Sequence, residues 1–369
     1  MNHDNETLYR VALKNIPKVG AVIARNLVSY CGSVEAVFRE HPRRLLRVPG
    51  VGQKLVSNIR KKSILLEAEK ELKFIERHGV QLHFYLDENY PRRLRHITHA
   101  PVLMYSKGSF DLNAAHIISI VGTRRATDYG RAMCSKIIGE LARYNPVVVS
   151  GLAYGIDITA HRESLERNLS TVAVLGNGLG RVYPSQHRSV AKRMLEKGGL
   201  LTEFNFETPP DRENFPSRNR IIAALADVVI VIESADSGGS IITAEFANSY
   251  NREVAAVPGR GNDILSLGCN RLIKTHKAHL VESGEDVAQL LNWDDEKKNP
   301  EVTQRTLFAE LSQGEQLIVE LMKIGEEAEL DNLSAQSKMQ LGELATVLLS
   351  LEFKGVVRAL PGKRFLKLY

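Results

Sequence analysis

Glycine and hydroxyl residues cluster directly after short, Val- and Ile-rich runs in the middle of this 369-residue chain. Four clusters have this form: VGTRR (121–125), SGLAYGID (150–157), LGNGLG (175–180) and SADSGGSIITAE (234–245). Backbone that approaches a phosphate needs residues without bulk, and hydroxyls or helix N-termini then donate hydrogen bonds to the anion. The clusters therefore predict a phosphate-lined crevice in which the Arg124 guanidinium makes a two-pronged contact. The expected floor is formed by Ser150, Gly151, Asn177 and Ser240.

A second set of residues suits unpaired nucleic acid. In TPPDRENFPSRNRIIAALADVV, three arginines, Arg212, Arg218 and Arg220, flank Phe215 in a proline-containing loop. Such a ring stacks on an unpaired base for about 1–3 kcal/mol, while guanidinium groups contact the backbone. The alternative is structural: Phe215 caps the core and an arginine, most readily Arg218, bridges to a carboxylate.

The same residues give less support to the hypothesis that the protein is an enzyme. The first strand lacks the GxGxxG of dinucleotide-binding folds, the chain has no GxxxxGK[ST], and no nucleophile elbow occurs. Asp157 and His161 lie four residues apart in GIDITAH, which suits an acid/base pair or a partial metal site. A helix-starting Asp and a core His explain that spacing more simply. We therefore expect no catalytic residue, no metal and no cofactor.

The elements that must position these residues form an alternating pattern from residue 116 onward. Short apolar runs alternate with amphipathic segments long enough to be helices, and the runs are HIISIVG, PVVVSG, STVAVLGNG, GGLLTE, ADVVIVIES, REVAAVPG and AHLVES. Near-continuous apolar strands of this kind predict a parallel sheet covered on both faces. The fold class is α/β, a Rossmann-like doubly wound parallel sheet, in which ligands bind beyond the carboxyl ends of the strands.

The region before the sheet is helical in pattern and basic. Residues 1–110 hold 19 Lys and Arg against 10 Asp and Glu, a net charge of +9, whereas the whole chain carries +6. Two similar phrases, IPKVGAVIARNLV (16–28) and VPGVGQKLVSNIR (48–60), resemble the helix-hairpin-helix motif of SAM-like domains, which grips nucleic-acid backbone. Glycines that turn corners in a helical packing domain are the alternative. Auxiliary backbone contacts are expected from Lys18, Gly20, Gly52 and Lys54, with charge nearby on Arg25, Arg60, Lys61 and Lys62.

The C-terminal region reads as three helices and a hairpin, a winged-helix-like pattern. Its third helix carries Glu343 and Glu352 and little positive charge, so a protein-contact role weighs at least as much as DNA reading. The predicted layout is a helix-hairpin-helix domain (1–80), an extended Rossmann-like domain (81–292), a linker (293–312) and a winged-helix-like domain (313–369).

The expected cellular location rests on membrane-spanning, secretory and cysteine patterns. No apolar run reaches the roughly 18 residues that span a bilayer, and the polar start has no secretory signal, so we expect no membrane insertion. The three cysteines, Cys31, Cys134 and Cys269, lie far apart without a CxxC or Cys/His cluster. A cytoplasmic location fits this usage.

Six motifs, in order and spacing, resemble the DNA-processing protein A family, also called Smf, over about residues 80–292. They are IVGTRRATDYG, SGLAYGIDITAH, TVAVLGNGLGRVYP, FPSRNRIIAALAD, SGGSIITAEFA and AAVPGRGNDILSLGCNRLI. The resemblance implies a non-catalytic single-stranded DNA-binding protein of natural transformation. Such proteins protect incoming strands, form homodimers through the Rossmann-like domain and load the recombinase RecA.

The resemblance also assigns roles to residues. It implies that Arg124 and Arg212 are the basic residues of the DNA pocket, that Phe215 is the base-stacking ring, and that Ser150, Gly151 and the turn 238–240 line the phosphate path. Together with the residue-level reasoning, the full set of expected DNA-binding residues is Gly122, Thr123, Arg124, Ser150, Gly151, Gly155, Asn177, Arg212, Asn214, Phe215, Arg218, Arg220, Gly238, Gly239, Ser240 and Thr243.

Two other functions remain as alternatives. A nucleoside-monophosphate phosphoribohydrolase-like enzyme on a related fold is one, but the typical PGGxGT signature is replaced by DSGGSIITA, which lacks the acidic catalytic pattern. A duplex-DNA regulator is the other, and it needs a basic third helix in the C-terminal domain, which the sequence does not show.

Overall fold

The computed structural model describes residues 5–293, 311–322, 327–354, 356–360 and 364–367. The chain divides into two compact units, residues 1–294 and 295–369. The predicted linker, 293–312, lies largely outside the described residues. None of the described helices is both long and apolar enough to cross a membrane.

Six helices open the first unit: α1 (Asn5–Asn15), α2 (Ala21–Cys31), α3 (Val34–Arg39), α4 (Pro42–Leu45), α5 (Gln53–Ile59) and α6 (Lys62–His78). The longest, α6, buries an apolar stripe at three- and four-residue spacing, formed by Ile64, Ala68, Leu72 and Ile75. This stripe shares one core with Phe84, Val102, Leu103 and Tyr105, which follow in the chain. We call helices α1–α6 the helical layer.

A nine-stranded sheet forms the centre of the first unit. Its strands are β1 (Gln81–Phe84), β2 (Leu103–Ser109), β3 (Ile117–Val121), β4 (Val147–Ser150), β5 (Thr171–Val174), β6 (Gly198–Thr202), β7 (Val228–Val231), β8 (Glu253–Ala256) and β9 (His279–Leu280). The order across the sheet is β1-β2-β6-β5-β4-β3-β7-β8-β9. All seven apolar runs from residue 116 onward form strands, and β3–β9 pair in parallel where they are neighbours.

The sheet is mixed rather than purely parallel, because β1 and β2 extend it in antiparallel pairing. β2 pairs antiparallel with β6, and β1 with β2. The close approach of β2 to β6 depends on glycine, since a Cβ on Gly108, at φ +122°, would lie 2.1 Å from the carbonyl oxygen of Gly198. These two strands lie within residues 80–115, a segment without the Val- and Ile-rich runs that predict the other strands.

Helices cover both faces of the sheet. They are α7 (Arg92–Arg95), α8 (Asp128–Leu141), α9 (Ile156–Glu166), α10 (Arg188–Met194), α11 (Asn214–Leu225), α12 (Gly239–Ser249), α13 (Leu267–Lys274) and α14 (Gly284–Leu290). The strand β3 shows the two-sided burial: Ile117 and Val121 pack in one core with α11 and α12, whereas Ile118 and Ile120 pack in another with α8. This is the doubly wound arrangement that the sequence predicts.

The second unit is a winged-helix fold. Its elements are α15 (Gln313–Leu321), β10 (Glu327–Glu329), α16 (Leu330–Ser337), α17 (Leu341–Phe353), β11 (Val357–Leu360) and β12 (Arg364–Lys367), with strand order β10-β12-β11. The buried Glu315 accepts hydrogen bonds from Ser350 Oγ (2.6 Å) and Lys354 Nζ (2.7 Å). These bonds lower the pKa of Glu315 to about 2, with Lys354 as the larger cause. The side chain therefore fixes α15 against the end of α17.

Candidate nucleic-acid interface

The sheet contains one point where the strand order reverses, and a crevice opens there. From β3 the chain builds β4, β5 and β6 on one side and then β7, β8 and β9 on the other. Open α/β sheets bind ligands at such a point, outside the carboxyl ends of the strands. Here the crevice has a volume of about 810 Å³ and is lined by the residues that follow β3 and β7, together with the start of α11.

The loop after β3 is held rigidly, and this fixes the backbone that carries Arg124. The Thr123 N–H donates to the Glu233 carbonyl oxygen (2.7 Å). The buried Glu233 carboxylate accepts from both the N–H (2.9 Å) and the hydroxyl (2.6 Å) of Thr127. A Cβ on Gly122 would lie 2.5 Å from Ile156 Cγ1, so the loop packs too closely for any side chain there. Arg124 projects from this fixed loop as an exposed side chain.

Aromatic rings form one wall of the crevice. The Phe215 ring stacks with Tyr183 at a centroid distance of 6.0 Å, and the Arg124 guanidinium lies 5.5 Å from the centroid of Phe215. Gly176 backs the ring, since a Cβ there would lie 2.8 Å from it. Tyr183 is 45% exposed, and Arg212 is exposed at the rim. The wall thus presents two rings and two guanidinium groups to a ligand.

Arg218 braces the floor of the crevice. It is buried and donates to the carbonyl oxygens of Gly151 (2.6 Å) and Val174. Burial lowers the pKa of Arg218 to about 10, opposed by the nearby Asp157 carboxylate. Burial likewise raises the pKa of Asp157, and Arg218 is the largest influence in the opposite direction. The structural role that the sequence left open for Arg218 is therefore present, although its side chain also lines the crevice.

The N-terminus of α12 points backbone donors at the crevice. Gly238, with φ +149°, precedes the helix, and no side chain caps it. Ser240 lines the crevice with its hydroxyl 2.8 Å from that of Ser234, and Thr243 donates to the Gly239 carbonyl oxygen (2.8 Å). Uncapped N–H groups and the positive end of the helix dipole suit this position to an anion such as phosphate.

The crevice brings together ten of the sixteen residues expected from the sequence. They are Gly122, Thr123, Arg124, Arg212, Phe215, Arg218, Gly238, Gly239, Ser240 and Thr243. Six do not line it: Ser150, Gly151, Gly155, Asn177, Asn214 and Arg220. Their assignment as direct contacts remains a prediction, and the geometry gives several of them other roles.

The side chains of three of these six residues form hydrogen bonds or ion pairs with other parts of the fold. The Ser150 hydroxyl is fully buried and donates to the Ile120 carbonyl oxygen (2.6 Å). The buried Asn177 amide donates to the carbonyl oxygens of Gly178 (2.9 Å) and Arg181 (2.8 Å). Arg220 forms an ion pair with Glu203 and donates to the His99 carbonyl oxygen (2.6 Å). The Ser150 and Asn177 side chains thus bond within the sheet and the glycine loop, and their expected place on the crevice floor stays a prediction.

The other three support the loops. Gly151 leaves room for Arg218, since a Cβ there would lie 2.6 Å from both Arg218 Nη1 and Asp157 Oδ2. Gly155, at φ +74°, approaches the Thr123 carbonyl oxygen so closely that a Cβ would lie 2.2 Å from it. The Asn214 N–H donates to the Asp211 carbonyl oxygen (3.2 Å) at the start of α11.

Tyr183 is the main crevice residue that the sequence reasoning missed. The only available signal was an aromatic residue in GRVYP, just beyond a glycine-rich cluster. Loop aromatics are common, so that signal alone does not indicate stacking. Glu233 was missed for a different reason, because its role depends on Thr127, more than 100 residues away.

The possible acid/base pair of Asp157 and His161 does not form in the crevice. Asp157 lines it, but His161 is fully buried outside the lining, with Nδ1 2.7 Å from Thr171 Oγ1. Burial lowers the pKa of His161 to about 3, so the ring is neutral at physiological pH. Across the described ranges, no group of three or more His, Cys, Asp or Glu side chains could hold a metal ion.

The helical layer carries the two expected backbone-binding turns. Gly20 and Gly52 cap α2 and α5 with extended backbone, at φ −85° and −104°, and a Cβ on either would meet nothing within 4 Å. Neither position therefore requires glycine for its backbone conformation. Lys18 and Lys54 are exposed, and their contact with DNA backbone remains a prediction.

Two of the arginines expected to add charge beside these turns have carbonyl partners in the fold. Arg25 donates to the carbonyl oxygens of Ile97 (3.2 Å) and Ala100 (3.4 Å). Arg60 donates to the carbonyl oxygen of Glu40 (2.6 Å). Both therefore tie parts of the fold together, and Arg25 in particular links α2 to the segment before β2.

Three family models match three successive regions of the chain. Residues 81–292 match the model of DNA recombination-mediator protein A, residues 11–62 a SAM-like helix-hairpin-helix tandem, and residues 304–363 the DprA winged-helix domain. Protein Smf of Synechocystis sp. is 31% identical over 396 residues, covering 98% of this chain and 99% of that protein.

Two solved structures are similar at the level of the fold and of the sequence. DNA processing protein A from Streptococcus pneumoniae has a TM-score of 0.63 and 31% identity, covering 78% of this chain and 98% of that one. DNA processing protein A from Helicobacter pylori, described for its single-stranded DNA-binding mode, has a TM-score of 0.53 and 28% identity, covering 58% of this chain and 96% of that one.

Proposed function

We propose that this chain, which belongs to the DNA-processing protein A (DprA/Smf) family, binds single-stranded DNA without sequence preference in the crevice at the strand-order reversal. Membership in a family of DNA-processing proteins rests on the match over residues 81–292. Single strands as the ligand are supported by the solved relative from Helicobacter pylori, whose described binding mode is for single-stranded DNA.

The observation that carries the proposal is the combination of free cations, rings and helix N-terminus in one crevice. Neither Arg124 nor Arg212 has a hydrogen bond or an ion pair with any residue in the described part of the chain. Their charges are thus available to phosphates, while Phe215 and Tyr183 offer faces to unpaired bases. Stacked duplex bases do not expose such faces.

A phosphoribohydrolase-like reaction is the weaker candidate. Asp157 is the only acidic residue among those lining the crevice in the described chain, and its carboxylate faces Arg218. A glycosidic cleavage needs acidic groups placed beside the scissile bond. We therefore propose a binding protein without catalysis, cofactor or metal, and release of free base from nucleoside monophosphates would favour the enzyme instead.

Membership in the family also supports a proposal for the wider role. We propose that the protein acts as a homodimer in the cytoplasm, protects incoming strands during transformation and loads RecA onto them. The matched model describes a recombination mediator, which supports this role.

Loading is tested by following RecA filament growth on single strands coated with a single-strand-binding protein. The wild-type chain should shorten the lag severalfold, and a variant that no longer binds DNA should not. Equal lags with and without the wild-type chain would contradict the loading role. Nuclease digestion of bound strands in the same mixtures tests protection, which should disappear in the same variant.

A further inference from the structure

The segment between β6 and α11, residues 203–213, connects two distant parts of the first unit. Its first half lies against the helical layer, and its second half carries Pro210 and Arg212 into the crevice, followed by Phe215 at the start of α11. Because this short segment contacts the helical layer at one end and lines the crevice at the other, contacts with the helical layer influence the position of the crevice residues.

The helical layer holds the first half of the segment through backbone and side chains. The Phe206 N–H donates to Glu71 Oε1 of α6 (2.7 Å), and the Phe206 ring stacks on Phe74 one turn further along that helix. From α1, Lys14 Nζ donates to Asn205 Oδ1. The Asn205 amide in turn donates to Asn15 Oδ1 (2.7 Å).

The glycine loop after β5 holds the same residues from the other side. The Gly178 N–H donates to the Thr208 carbonyl oxygen (3.0 Å), and the Gly180 N–H donates to that of Phe206 (3.2 Å). A Cβ on Gly178 would lie 1.9 Å from the Asn205 carbonyl oxygen. The segment is therefore clamped between two layers, and Pro209 and Pro210, with their fixed φ angles, stiffen the step towards the crevice.

Charged side chains of the helical layer and of the segment interact with one another around residues 203–208, so that removing one of them leaves another without its partner. Lys14 is half-buried beside Glu71 and Glu203, and desolvation lowers its pKa to about 8, so it remains largely protonated at neutral pH. Burial also raises the pKa of Glu71, opposed first by its hydrogen bond from Phe206. Glu203 is shared with Arg220 of α11, the helix that Phe215 begins.

We propose that Glu71 and Lys14 of the helical layer are positioning residues for DNA binding: they hold residues 205–208 so that Arg212 and Phe215 face the crevice. This inference rests on the proposed function of the crevice. It makes the helical layer part of the single-strand site without requiring that its own turns contact DNA.

A double-mutant cycle on the full chain tests the inference. Glu71→Leu removes the acceptor for the Phe206 N–H and should weaken binding of a labelled oligothymidylate about tenfold, within the range of coupling between residues that share one network. Glu71→Gln keeps a carbonyl acceptor and should restore affinity to within about twofold of wild type. Glu67→Leu, an exposed position on the same helix, should leave affinity unchanged.

The cycle is closed in a chain that already carries Arg212→Ala and Phe215→Ala. There, Glu71→Leu should change affinity by less than about twofold, because the side chains it positions are gone. A full tenfold loss in that background would overturn the inference. If Glu71→Leu lowers the melting temperature so far that the chain is unfolded during the titration, Asn205→Ala replaces it in the same cycle. The same results are expected: about tenfold weaker binding in the wild-type background, and a change of less than about twofold in the Arg212→Ala, Phe215→Ala background.

Amide hydrogen exchange separates failure of this inference from failure of the proposed function. Without DNA, Glu71→Leu should speed exchange across residues 206–215 and leave exchange of β4 and β5 unchanged. Unchanged exchange across 206–215 would overturn the positioning role, whether or not the wild-type chain binds single strands. If exchange across 206–215 is faster in Glu71→Leu but the wild-type chain does not bind single strands, the positioning role is supported and only the proposed function of the crevice is contradicted.

Discussion

Arg124→Glu should lower the affinity for single-stranded DNA about 100-fold at low salt, because it replaces a guanidinium by a carboxylate in the crevice that we propose binds phosphates. Arg124 is exposed and has no hydrogen bond or ion pair among the described residues, so the melting temperature should stay close to that of wild type. Fluorescence anisotropy with a labelled oligonucleotide measures the affinity, and thermal unfolding measures the stability.

Arg125→Glu is the matched control for this result. Arg125 is exposed, adjacent in sequence and outside the crevice lining, so the same change in net charge should weaken binding only about threefold through long-range electrostatics. Equal losses in the two variants would mean that total charge, rather than the crevice, determines binding.

Gly239→Asp should separate binding from stability. A Cβ at Gly239 has only Asn219 Nδ2 nearby, at an ordinary contact distance of 3.5 Å, so the side chain fits. An acidic residue in the first turn of α12 interacts favourably with the helix dipole, and the fold should keep or slightly gain stability. The carboxylate nevertheless lies where a phosphate would bind, and we expect affinity to fall about 30-fold.

Gly239→Ala is the control, because it adds the methyl group without the charge. Its affinity should remain within about threefold of wild type, since backbone N–H groups still face the crevice. A loss with alanine as large as that with aspartate would show that bulk, rather than charge, blocks the ligand. Both variants are read by the same anisotropy titration and by thermal unfolding.

Much of the fold could be predicted because parallel strands buried on both faces leave long apolar runs in the sequence. Runs such as HIISIVG and ADVVIVIES become β3 and β7 directly. The strands β1 and β2 leave no such trace, because QLHF and LMYSKGS mix polar with apolar residues, and because β2, which carries β1, pairs with β6 about 90 residues later. The mixed character of the sheet was therefore hidden in long-range contacts.

The crevice was partly predictable for a geometric reason. Residues after parallel strands share one edge of the sheet, so Arg124 and Gly238–Ser240 had to lie near one another. The direction of each side chain depends on packing that a sequence does not display. Thus Ser150 faces Ile120 and Arg220 faces Glu203, although their positions along the chain looked equivalent to those of the crevice residues.

Titration of the wild-type chain with a single strand of about 25 bases, beside the same titration with its duplex, tests directly whether the crevice binds unpaired DNA. This length covers a simple single-strand site, which spans ~4–16 nucleotides. We expect at least about tenfold tighter binding of the single strand, with a steep loss of affinity as salt increases. Equal affinity for the two forms, or tighter binding of the duplex, would contradict the assignment of the crevice to unpaired DNA.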